Sequence, residues 1–259
     1  MTEDAAWSAL FAELDRWAHA GKRLELWLRD DDATEPSDQL DRLADLAGRF
    51  TIPVLLASIP LQAQETLAKR LETAPLLLPC QHGTWHRNHA PTGEKKSEFG
   101  LHRPTADIAA EIAAGRQRLR DLFGHSFLSV FVPPWNRIHP EIAAELPGLG
   151  FAGLSCFRNF ALGPAGGPRL VNTDLDLIDW HHGRVGRQPD NLLAEMVQLL
   201  ADRQMKPQPR QPFGLLLHHH DHDSTTWSFL TNLLSRLSGH AAVAFSGPDT
   251  LFDAATYLD

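Results

Sequence analysis

Only two cysteines, Cys80 and Cys156, occur among the 259 residues, so at most one disulfide could form and a framework of crosslinks is excluded as the source of stability. Both lie in or beside apolar strand-like runs, where they read as buried structural thiols of a protein in a reducing cytoplasm. No run of Lys and Arg is present, and the formal net charge is −8. An acidic surface repels phosphates, which argues against nucleic acid or an anionic membrane as partner. No apolar stretch is long enough to span a bilayer. No glycine-rich fingerprint for a dinucleotide or P-loop follows a strand-like run, which excludes those two ways of holding a phosphate. Internal repeats and linker-like segments are missing too. One domain over residues 1–259 is therefore expected, and with 43% hydrophobic residues it can bury a sizeable core.

What the chain does have is alternation. Trp7, Leu10, Phe11, Leu14 and Trp17 recur at helical spacing among Glu3, Asp4, Glu13 and Asp15, so residues 5–19 read as an amphipathic helix rather than a signal peptide. Strand-like runs follow at 24–28, 53–58, 75–80, 127–132, 151–155, 175–178, 213–218 and 241–245. Helical patterns occupy 37–49, 61–72, 105–123, 140–146, 190–203 and 224–237. Residues 158–173, rich in Gly and Pro, read as a long loop. Repeated strand–helix units imply a parallel sheet with right-handed crossovers, and this many strands favours closure. The expected fold is a distorted (β/α) barrel of seven to eight parallel strands, whose active site would lie at the carboxyl ends of the strands.

Polar clusters sit at those ends. Arg29-Asp30-Asp31-Asp32 follows the first run, and three adjacent carboxylates repel one another unless a cation or a guanidinium such as that of Arg29 compensates. His82 and His86 are four apart, a spacing that on a helical turn puts both imidazoles on one face. Two histidines and one carboxylate are the usual ligands of a catalytic Zn²⁺, with open positions for water and a substrate oxygen. A second carboxylate beside them can act as base, and a histidine from the His218-His219-His220 run can protonate the leaving amine.

The order of these clusters resembles the carbohydrate esterase family 4 polysaccharide deacetylases, the NodB homology domain, from about Leu24 to Phe245. The family's Thr-Phe-Asp-Asp-Gly motif, laid on Leu28-Arg-Asp-Asp-Asp-Ala33, implies Asp31 as base and Asp32 as metal ligand. Its His-Ser/Thr-x-x-His motif is matched by His82-Gly-Thr-Trp-His86, with Gly83 replacing the hydroxyl residue, and implies His82 and His86 as ligands. Its Arg-x-Pro-Tyr/Trp-Gly motif resembles Val132-Pro-Pro-Trp-Asn136, and Asp-x-x-Asp-Trp resembles Asp176-Leu-Ile-Asp179-Trp180. The final Leu-x-His fits both His218 and His219, with His218 favoured as the acid. By the same resemblance Pro134, Trp135, Asn136, Asp179 and Trp180 are expected to meet substrate. Arg87, Asn88, His89, Glu94 and Lys95 extend the second motif and either line the pocket, His89 among them, or cap the next helix.

Val132 stands where the family has the arginine that orients the base. That role falls to Arg137, on the same loop, or to Arg29, or stays empty; Arg137 is favoured. The resemblance implies a metal-dependent hydrolase, with Zn²⁺, that removes an acetyl or similar small acyl group from an amino sugar or related amide. Its partner would be a small-molecule or saccharide substrate. One alternative is a metal-dependent amidase on a non-sugar C–N bond, and another, motivated by Val132, is a non-catalytic metal- or carbohydrate-binding relative.

Overall fold

The computed structural model describes residues 3–205 and 212–253. Along the chain run α1 (Glu3–His19), β1 (Leu24–Ala33), α2 (Asp38–Phe50), β2 (Val54–Ser58), α3 (Glu65–Leu71), β3 (Leu77–His82), α4 (Thr105–Phe123) and β4 (Val130–Val132). Then come α5 (Pro140–Glu145), β5 (Gly153–Leu154), β6 (Arg169–Leu170), β7 (Leu175–Asp176), β8 (Ile178–Asp179), β9 (Val185–Gly186), α6 (Pro189–Met205), β10 (Phe213–Leu217), α7 (Ser224–Leu237), β11 (Val243–Phe245) and α8 (Pro248–Leu251). Nine strands form one sheet, ordered β6-β5-β4-β3-β2-β1-β10-β7 with β11 also on β1, while β8 and β9 make a separate antiparallel pair. Every ladder of the large sheet is parallel. The ends of the order, β6 and β7, are close in sequence, and the sheet curls into a distorted half-open barrel with helices around it.

Strand alternation divides the core in two. Leu26, Leu28, Val54, Leu56, Leu77 and Phe131 face the helices, joined there by the apolar faces of α1, α2, α4, α6 and α7. Trp27, Leu55, Ala57, Cys80, Val130 and Val132 face the barrel interior. Phe252, just past α8, joins that inner cluster, its ring edge-on to Trp27 at 6.0 Å. Residues at odd positions of β1 continue the inner face upward, so Arg29 and Asp31 sit in the interior above Trp27. The amphipathic α1 buries Trp7, Leu10, Leu14 and Trp17.

Three differences from the sequence-based boundaries matter for the rim. β1 runs on through the Asp cluster to Ala33. The helix expected from residue 61 starts only at Glu65, because earlier N–H groups bond elsewhere: Leu61 N–H donates to Thr84 O and Gln64 N–H to Thr34 O. Within the expected loop 158–173, Arg169–Leu170 pairs with Gly153–Leu154 as an edge strand. Among the described residues no helix is long and apolar enough to cross a membrane.

Candidate active site

The end of β1 carries three carboxylates in three different directions. Alternation puts Asp31 on the inner face with Arg29, and Arg29 Nε and Nη2 donate to its two oxygens at 2.9 and 3.0 Å. Arg29 is fully buried, and its remaining N–H groups reach Ser155 Oγ (2.9 Å), Cys156 O (3.0 Å) and Asn136 Oδ1 (2.6 Å). Asp30, on the opposite face, accepts the His219 backbone N–H (2.9 Å) and meets His219 Nδ1 at 2.5 Å. Between Asp30 and Ala33 the ladder to β2 shifts register, and Asp32 adopts φ 73°. This bulge turns the Asp32 carboxylate away from strand alternation and toward the histidines.

His82 ends β3, and its Nδ1 donates to Val132 O at 3.0 Å. A carbonyl can only accept, so that bond leaves Nε2 as the nitrogen facing the site. Nε2 lies 3.1 Å from Asp32 Oδ1, and His86 Nε2 lies 3.4 Å from the same oxygen. The two imidazoles converge, but not on a helical turn as their spacing suggests. Residues 83–86 are irregular, with φ of 57° at Gly83 and 56° at His86. One ligand atom from each of Asp32, His82 and His86 falls within 4.8 Å of the others. Asp32 Oδ1 is buried, and neither histidine offers it hydrogen-bond geometry. Two imidazole nitrogens and an orphaned carboxylate oxygen fit a divalent cation.

Charge follows this geometry. Burial works to raise the Asp32 carboxyl, but the contact with His82 and the charges of His82, His218 and His86 outweigh it and hold the group well below the usual carboxylate range. Burial works to lower His82, and Asp31 and Asp32 reverse the effect. His86 is lowered by burial and by the neighbouring His82. Asp30 and His219 offset each other's burial, the carboxyl being held down and the imidazole up.

His218 and His219 point apart, as adjacent residues do. His219 is fully buried against Asp30. His218 packs edge-on to Trp180 at 4.5 Å between ring centroids, and its Nδ1 is buried without a hydrogen-bond partner. Its charge acts on both Asp32 and Asp176. Asp176 accepts from Ile178 N–H (3.0 Å) and Trp180 Nε1 (2.7 Å), and burial pushes its carboxyl up against the pull of His218.

Several expected residues land elsewhere. Arg137 donates to Lys96 O at 2.9 Å, and the guanidinium on Asp31 is that of Arg29. The expectation for Arg137 is corrected, because a residue two along a strand shares the face of Asp31 whereas Arg137 sits past the bend at Trp135 and Asn136. Asn136, expected to meet substrate, braces Arg29. Asp179 caps its own turn, accepting from the His181 and His182 N–H groups at 3.1 Å. His89 is lowered by burial and lies by Arg103, Glu111 and Arg87, with no contact to the ligand set among the described residues. Pro134 is buried against Gly83. Trp135 packs tilted against His86 at 4.6 Å between ring centroids and Trp180 edge-on against His218, so an indole adjoins each of these two histidines. Glu98, unmarked by any motif, is fully buried beneath the His82–His86 loop.

No protein-family model matches the chain, and no curated protein matches it. Among solved structures it is similar to the Bc1960 peptidoglycan N-acetylglucosamine deacetylase (TM-score 0.56, 14% identity, 89% of this chain and 88% of that one). It is also similar to a family 4 carbohydrate esterase from Streptomyces lividans in complex with acetate (TM-score 0.53, 14% identity, 87% and 91%). A third is BA3943, a CE4 family pseudoenzyme from Bacillus anthracis (TM-score 0.56, 14% identity, 89% and 66%). At these identities the likeness is one of fold, the NodB-like barrel.

Proposed function

We propose that this protein is a metal-dependent hydrolase that removes an acetyl or similar small acyl group from an amino sugar or related amide. One observation carries the reading: a guanidinium-held carboxylate (Asp31), a three-donor cation site (Asp32, His82, His86) and a histidine with a free ring nitrogen (His218) share one rim. The solved structures of like fold include one named as a peptidoglycan N-acetylglucosamine deacetylase and one named as a carbohydrate esterase with bound acetate. A divalent cation there, Zn²⁺ by this donor set, would polarise the acyl carbonyl and acidify water. Asp31 takes the water's proton, its two oxygens held in place by Arg29. His218 gives a proton to the leaving amine. Trp135 and Trp180, against His86 and His218, bring aromatic surface to the place where a sugar-sized substrate would meet the site. Both thiols are buried and unpaired, as a reducing cytoplasm permits, and there the substrate would be a small soluble acyl amide.

A non-catalytic, binding-only relative is the reading that Val132 motivates, and BA3943, of like fold, is named a pseudoenzyme. Arg29 weighs against it, because a full set of bonds to a buried guanidinium maintains a base that pure binding would not need.

The test is release of acetate or formate from a panel of acyl amides by Zn²⁺-loaded protein, with three variants. His82→Ala and His86→Ala are expected to abolish stoichiometric metal after dialysis. Asp31→Asn is expected to keep the metal and lose about 10²–10⁴-fold in turnover. Full metal retention in both histidine variants, or undiminished turnover in Asp31→Asn, refutes the assignment.

A further inference from the structure

We infer that Glu98 is the positioning residue of the two-histidine loop and fixes the arrangement in which His82 and His86 meet; this rests on the cation-site reading above. The loop has no helix or ladder of its own, so each backbone polar group needs a partner from outside. Gly83 N–H donates to Val132 O (2.9 Å) and Gly83 O accepts from Gln81 Nε2 (2.9 Å). Thr84 O accepts from Leu61 N–H (3.3 Å) and Trp85 O from Gln62 Nε2 (2.9 Å). Of the donors that remain, one carboxylate collects those of Thr84 and Trp85. Glu98 Oε2 accepts from Thr84 N–H at 3.3 Å and Oε1 from Trp85 N–H at 2.8 Å, and the Arg87 backbone lies close enough to act on the same carboxyl. Backbone N–H groups converging in this way form an anion nest, here filled from within the chain.

Glu98 reaches the nest from an anchored segment. Its neighbour Phe99 is fully buried, bridges to Ile138 and packs edge-on to Phe131 at 5.2 Å. The nest also accounts for Gly83, the loop's departure from the hydroxyl residue of the motif it resembles. A Cβ at Gly83 would overlap Glu98 Oε2 and come within 2.6 Å of Pro134 Cγ. A hydroxyl side chain at 83 and the Glu98 carboxylate therefore claim the same space. Without Glu98, the Thr84 and Trp85 N–H groups lose their acceptor, and with them goes the reason for His86 to hold φ 56° and aim its Nε2 at Asp32.

The experiment measures Zn²⁺ affinity of the full chain by competition with a chromophoric chelator, and thermal unfolding in EDTA, for the wild type, Glu98→Ala and Glu98→Gln. Supports behind metal ligands typically set about 10–100-fold in affinity. A loss in that range is expected for Glu98→Ala, and a smaller one for Glu98→Gln, which keeps one carbonyl acceptor. The unfolding temperature of metal-free Glu98→Gln is expected to stay near wild type, which a purely structural role would not leave in place alongside weakened binding. Wild-type Zn²⁺ affinity in the variants overturns the inference, and if Glu98→Ala does not fold, Glu98→Gln decides on the same criterion. A wild-type protein that binds no Zn²⁺ refutes the cation site itself and the inference with it, a result distinct from variants that match a binding wild type.

Discussion

A guanidinium has five N–H donors in a fixed fork, so burying one completely requires five acceptors around it. Arg29 has them: both Asp31 oxygens, Ser155 Oγ, Cys156 O and Asn136 Oδ1. Asn136 serves because it tolerates the left-handed backbone it adopts, φ 57°, better than most residues. The arginine's position in sequence is thereby less important than the carboxylate it ends on. An arginine on β1 supplies at Asp31 the guanidinium that Val132 on β4 cannot. Arg29→Lys replaces the fork by a point charge and leaves acceptors unmatched. It is expected to lower kcat by at least about tenfold while metal content stays stoichiometric, and Arg137→Ala to leave both unchanged. Steady-state kinetics with metal analysis of the two variants checks this; a kcat loss in Arg137→Ala and none in Arg29→Lys would reverse the assignment.

Among elements, β1 decides how much of the site can be read in advance. Its apolar run and the Asp cluster beyond it are a local pattern, as is the four-residue spacing of His82 and His86, so both were legible in the sequence. The pairing of Arg29 with Asp31 was legible too, since i and i+2 share a face of a strand, but proximity to a motif favoured Arg137. The bulge at Asp32 and the nest under Gly83 were not legible. Each depends on a partner far along the chain, Ser58 of β2 or Glu98, that no spacing rule links to it. Asp30 shows the same dependence: it straps the end of β1 to the turn after β10 through both the backbone and the ring of His219. Removing one member of a buried ionic pair leaves the other uncompensated, typically at about 3–5 kcal/mol. Asp30→Ala is therefore expected to cost that much in urea unfolding. A double-mutant cycle with His219→Ala should return a coupling of about 1–3 kcal/mol, and additive losses would mean that the strap does not exist.

For the molecule as a whole, the histidine-rich rim links stability to pH. His222 is buried, its Nε2 accepts from His218 N–H at 3.3 Å, and its ring packs edge-on to Trp227 at 4.6 Å. Burial lowers its pKa to about 4, with the charges of His218 and His219 adding to the effect and Asp30 and Asp223 opposing it. The folded-state value lies below the ordinary 6.5, so the sign is fixed. Above pH 6.5 the ring is neutral whether the chain is folded or not, and contributes no pH dependence. Between 6.5 and about 4 the unfolded chain binds a proton that the folded one refuses, and stability falls as pH falls. At about 1.4 kcal/mol per unit, the full window amounts to roughly 3 kcal/mol. His222→Gln keeps an acceptor for His218 N–H but cannot titrate. Urea unfolding at pH 7 and pH 4 is expected to show the wild type losing up to about 3 kcal/mol more than the variant across that interval. Parallel losses in the two proteins would mean that His222 is already protonated in the folded state, and that the acid sensitivity of the fold comes from other groups.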